Sequence, residues 1–137
     1  MHGQSDAQTF AHALASEWTL HTKPVVRRDQ EWWLHWFRVA VHDLGHYVTN
    51  NDHEPLPEYT LEIWRGVARA QYARGMSWTL NRNTAIEFAN RNRIEGVAPR
   101  LYHASVEPSD VLAYFPDEQE IVIDPAILPP LRDQFLA

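Results

Sequence analysis

The run Leu101-Tyr102-His103-Ala104-Ser105-Val106 alternates as a half-buried strand does, and two further extended runs follow it, Val111–Phe115 and Glu120–Ile123. Three short strands in succession make the C-terminal half a sheet. Working back from there, Tyr59–Gly66 reads as a strand ending in glycine. Ala68–Ala73 reads as a short helix stopped by Gly75, and Met76–Leu80 as a short extended piece. Asn83 is placed to cap a helix through Asn92, with Ala85, Phe88 and Ala89 on one face. The N-terminal half has another texture. Phe10, Leu14 and Trp18 repeat at helical spacing within Asp6–Leu20, Pro24 interrupts, and Asp29 then caps a longer helix to about Val48. Along it Trp32, Trp33, Trp36, Phe37, Ala40, Val41, Leu44 and Tyr47 fall at steps of three and four, a stripe that reads as core. Thr49–Pro57 is a polar loop, and Pro125, Pro129 and Pro130 mark an irregular tail. Helices first and short strands afterwards is the α+β pattern.

At 137 residues the chain is expected to form one domain, with residues 1–57 mainly helical and 58–137 strand-rich. Its 45% hydrophobic and 12% aromatic content supplies a core, which excludes disordered and low-complexity classes. No apolar run is long enough to span a bilayer, and residues 1–10 lack the charged-then-apolar order of a secretory signal. With no cysteine there is neither a disulfide framework nor a thiolate zinc site. The expectation is a soluble cytoplasmic protein, or one delivered into a target cell's cytosol, with no membrane partner. The net charge of −6 argues against nucleic acid as a partner. That charge is uneven: residues 65–100 hold seven arginines against Glu87 and Glu95. Such a basic middle either faces an anionic ligand such as a phosphate or lies in water as a solvated helix face.

Two constellations carry chemistry. In His42-Asp43-Leu44-Gly45-His46, an adjacent His-Asp pair resembles that of the HD-domain metal phosphohydrolases, and histidines at i and i+4 share a helix face. That family needs further ligands on further helices, whereas here strands follow, so the pair reads as helix surface and no metal is expected. The second constellation is spread over three segments. Trp64-Arg65-Gly66 ends a strand; Ser77-Trp78-Thr79 sets two hydroxyls about an aromatic before a helix carrying Ala85 and Phe88; Phe115-Pro116-Asp117-Glu118-Gln119-Glu120 leads into Ile121-Val122-Ile123. Within a strand, Glu118 and Glu120 would share a face. Two carboxylates that close repel one another, and Arg65 with a serine hydroxyl would compensate them.

In this order the three segments resemble the arginine–serine–glutamate branch of the ADP-ribosyltransferases, over residues 60 to 125. Trp64-Arg65-Gly66 is similar to the aromatic-Arg strand of that family, Ser77-Trp78-Thr79 to its Ser-x-Ser/Thr motif, with Trp78 a departure from Ser-Thr-Ser, and Glu118-Gln119-Glu120 to its ExE signature. Phe115 matches the aromatic three residues before the first glutamate. The resemblance implies a small split β-sheet core behind the N-terminal helices, NAD as co-substrate, and transfer of ADP-ribose to an arginine-bearing protein. It implies that Glu120 stabilises the sugar cation and that Arg65 holds the NAD phosphates. The Gly66 backbone would approach the nicotinamide amide, Ser77 would orient Glu120, and Thr79 would support the strand. Trp78 and Phe88 are counted with these as lining the NAD site. Phe115 would sit on the substrate-recognition turn, and Glu118 would serve the acceptor guanidinium. Water in place of that acceptor makes an NAD glycohydrolase, and loss of catalysis leaves a nucleotide- or partner-binding module; both stay open, with the HD-type phosphohydrolase behind them.

Overall fold

The computed structural model describes residues 5–20 and 28–136, apart from the side chains of Gln71 and Phe135. Helix α1 is Asp6–Leu20 and α2 is Gln30–Leu44. Asp29 caps α2 as expected, its carboxylate accepting the Trp32 N–H at 2.8 Å. The helix stops short of Val48, because Gly45 turns left-handed (φ 80°) and its N–H closes on the Val41 carbonyl at 2.8 Å. Val48–Thr49 is instead a strand, β1. The expected break at Pro24 lies outside the described residues.

The remaining strands are β2 (Leu61–Val67), β3 (Ser77–Thr79), β4 (Arg100–Val106), β5 (Val111–Phe115), β6 (Glu120–Ile123) and β7 (Arg132–Phe135). Between β2 and β3 the expected helix is one 3-10 turn, Ala70–Tyr72. Helix α3 (Arg82–Arg91) is capped by Asn81 rather than Asn83: the Asn81 side chain accepts the N–H groups of Asn83 and Thr84, at 2.9 and 3.2 Å. Nor is the tail irregular throughout. Its prolines end before β7, which pairs with β4 as an edge strand.

The fold is α+β, with a seven-stranded mixed sheet in the order β1-β5-β6-β3-β2-β4-β7. Its only parallel pair among the described strands is β1 with β5. Pairing makes it one sheet where a split was expected, but the seam is narrow: β2 and β3 meet at the single pair Trp64↔Thr79, whereas β2 and β4 run together from Leu61↔Val106 to Val67↔Arg100. Helices α1 and α2 bury Trp18, Trp33 and Phe37 against Val48, Ala113, Phe115 and Val122. Trp18 stands edge-on to Trp33 and Phe37, with ring centres 4.9 and 5.3 Å apart. A second core holds Leu61, Ile63, Trp78, Ala104, Val106, Ile121 and Ile123, and none of the three helices contributes to it. A buried sheet face without a helix has to be closed by other strands and by loops, and Leu56, Leu128 and Leu131 come from the loops. Among the described residues no helix is long and apolar enough to cross a membrane.

Candidate active site around Glu120

Arg65, Ser77 and Glu120 come from β2, β3 and β6, and the sheet order places β3 between the other two. Ser77 therefore reaches both neighbours. Its hydroxyl donates to Glu120 Oε2 at 2.5 Å, and its carbonyl accepts from Arg65 Nη1 at 2.8 Å. The antiparallel register sets Thr79 opposite Glu120 and Ser77 opposite Val122, so the serine and the glutamate are diagonal neighbours on one face.

The Arg65 guanidinium is fixed by backbone. Nε donates to the Tyr72 carbonyl at 3.0 Å, beside the Ser77 contact. It lies over Gly75 so closely that a Cβ there would stand 2.3 Å from Cζ and from Nη2. Burial lowers its pKa to about 10, so the group is still a cation at neutral pH. Among the described residues the direct compensation of Glu120 by Arg65 expected from sequence does not occur: the arginine donates to two main-chain carbonyls there, and Nη2 takes no partner from them.

Glu120 is half-buried at the start of β6. Burial pushes its pKa up, the hydrogen bonds from Ser77 and Trp18 pull it back, and the charge of Glu118 pushes it up again. Both hydrogen bonds fall on one oxygen: the Trp18 indole N–H donates to Oε2 at 3.1 Å, alongside the Ser77 hydroxyl. Among the described residues Oε1 has no donor. Ser77 thus links, through its carbonyl and its hydroxyl, a guanidinium N–H and a carboxylate oxygen that have no partner among the described residues, chemistry suited to an anionic ligand that develops positive charge nearby. In the sequence Trp18 reads only as part of the helical stripe. The signal was there in the indole, which needs an acceptor when buried.

Other expected site residues move. Glu118 is not on a strand with Glu120: it ends the 3-10 turn Pro116–Glu118, exposed, and Gln119 follows in left-handed conformation (φ 50°). The turn, not the pleat, keeps the two carboxylates close enough to interact. Phe115 is fully buried between β5 and the helices, so it presents nothing to a substrate. Trp78 points to the opposite face from Ser77, in the second core, with its N–H on the Gly75 carbonyl at 2.9 Å. It lines no ligand site on the Glu120 face. Gly66 has a packing role: a Cβ there would meet the Ala85 carbonyl oxygen at 1.9 Å, so its missing side chain lets α3 lie on β2 rather than opening space for nicotinamide. Thr79 accepts the Asn81 N–H at 3.1 Å and so steadies the turn into α3. Phe88 is 37% exposed on α3, off the buried line of Ala85 and Ala89.

The His42 and His46 pair does not share a helix face, because α2 has ended at Leu44. His42 contacts Asp43 at 3.2 Å, and His46 Nδ1 lies 2.7 Å from the Tyr47 carbonyl. Among the described residues no three His, Asp or Glu side chains cluster as a metal site would require. Comparison with protein-family models, with curated proteins and with solved structures found no match to this chain.

Proposed function

We propose that this chain is an NAD-dependent mono-ADP-ribosyltransferase, a glycosyltransferase that breaks the nicotinamide–ribose bond of NAD. What supports the reading is Ser77, which ties a backbone-pinned arginine to a half-buried glutamate. In the reaction the C–N bond breaks and nicotinamide leaves with the electron pair. The oxocarbenium-like ribose is stabilised by the Glu120 carboxylate, and Arg65 Nη2 holds the diphosphate. The acceptor nitrogen or oxygen then bonds to the ribose carbon and loses its proton. Glu118, exposed beside Glu120, is placed to orient an arginine acceptor from solution.

One observation favours a second reading, an NAD glycohydrolase. Phe115, the aromatic that should greet a protein acceptor, is sealed in the core, which leaves water as the simplest acceptor. Incubation of the pure protein with NAD labelled in its adenylate part, with and without cell lysate, tests both. Nicotinamide release with labelled protein bands supports the transferase, and release alone supports the hydrolase. No release in either arm overturns the assignment of the site.

A further inference from the structure

The Trp18 contact with Glu120 joins residues 102 positions apart and brings the N-terminal helical part into the site. A buried indole N–H needs an acceptor, and a main-chain carbonyl satisfies it at little cost, as Gly75 does for Trp78. Trp18 instead uses a carboxylate that burial already disfavours in its charged form. It also uses the oxygen that Ser77 uses. Two donors on Oε2 hold that oxygen in place and leave Oε1 as the one without a donor among the described residues. Trp18 is itself held rigidly, 2% exposed and wedged edge-on between Trp33 and Phe37.

We propose that Trp18 is a positioning residue for Glu120, which makes helix α1 part of the active site: with Ser77 it clamps Oε2 so that Oε1 meets the ribose of bound NAD. This rests on the reading of Glu120 as the carboxylate that stabilises the sugar cation. That carboxylate takes the Trp18 indole from α1 and the Ser77 hydroxyl from β3, pairs across the ladder with the uncharged Thr79, and among the described residues feels the charge of Glu118 in the preceding turn.

Trp18→Phe keeps a ring between Trp33 and Phe37 and removes only the N–H. It should lower kcat for NAD cleavage about tenfold or more, as loss of a hydrogen bond to a charged group does, with KM little changed. The acidic limb of its pH–rate profile should move to higher pH, because one of the two bonds favouring the ionised carboxylate is gone. Glu120→Gln, run in parallel, separates the two ideas. If Glu120→Gln still cleaves NAD, the reading of the site fails. If it is dead while Trp18→Phe matches the wild type in kcat and pH profile, the positioning role alone fails. A third measurement needs neither activity nor a stable variant core. Of the six indole N–H resonances of the labelled wild type, the one assigned to Trp18 should titrate with pH and shift in Glu120→Gln. A Trp18 resonance indifferent to both would overturn the proposal.

Discussion

Gly75 and Arg65 occupy the same space, since a Cβ on residue 75 would stand 2.3 Å from the Arg65 Cζ and Nη2 atoms. The obstacle is the end of a side chain and not backbone, so Gly75→Ala should fold while swinging the guanidinium off the Tyr72 and Ser77 carbonyls. Thermal unfolding should shift by no more than a few degrees. NAD cleavage should fall about tenfold or more, mostly through KM, as expected for a lost phosphate contact. Unchanged kinetics would remove Arg65 from the site.

Gly66→Ala should behave in the opposite way. Its Cβ would press on the Ala85 carbonyl oxygen, which belongs to the backbone of α3 and cannot step aside. Overpacking of this kind costs about 1–3 kcal/mol or more, and denaturant unfolding should register it whether or not NAD is present. A variant as stable as the wild type would contradict the packing role.

Glu120→Gln should cut NAD cleavage by about 10²–10³ or more, the scale of losing one preorganised electrostatic group. The same variant should melt no lower at neutral pH, since burial penalises the ionised carboxylate that glutamine replaces. Calorimetry on the purified pair checks this; a sharply lower Tm would make Glu120 a structural residue.

The pH dependence follows with a definite sign. The folded pKa of Glu120 lies above the ordinary 4.5, so between that value and the folded one the native state holds more protons than the unfolded state. Stability contributed by this group therefore falls as pH rises through the window, while the ionised carboxylate that the proposed reaction needs appears in the same window. Activity should rise where this part of the stability declines, and Glu120→Gln should lose that component of the stability profile. Parallel pH–rate and pH–unfolding curves would show it; an activity limb centred at or below 4.5 would not fit.

Glu118→Gln should uncouple two activities. The charge beside the ribose remains, so hydrolysis of NAD should persist at a substantial level. Transfer to arginine should fall much further, because the guanidinium loses the carboxylate that orients it. Free nicotinamide and label on an arginine-rich acceptor are read from one sample. Equal losses would place Glu118 in the cleavage step, and no loss would make it surface.

Local chemistry fixed much of this protein in advance. The Asp29 cap, the helical stripe through Phe10, Leu14 and Trp18, and the strands β4, β5 and β6 are all readable because helix and strand periods are properties of neighbouring residues. The order of the three segments, and the resemblance it carries, also brought forward Arg65, Ser77, Glu118 and Glu120 as candidates. It misjudged what depends on the turn types between elements: the left-handed Gly45 that ends α2 early, the 3-10 turn that takes Glu118 off the strand, and the Asn81 cap. Tertiary structure alone decided the roles of the aromatics and glycines. Phe115 and Trp78 went into two different cores, Gly66 went under α3, and Gly75 went under Arg65. Trp18 turned from one more core aromatic into a donor to Glu120. Each of those outcomes depends on which segment, distant in sequence, packs against which face, and a buried polar atom takes its partner from whatever the fold has brought beside it.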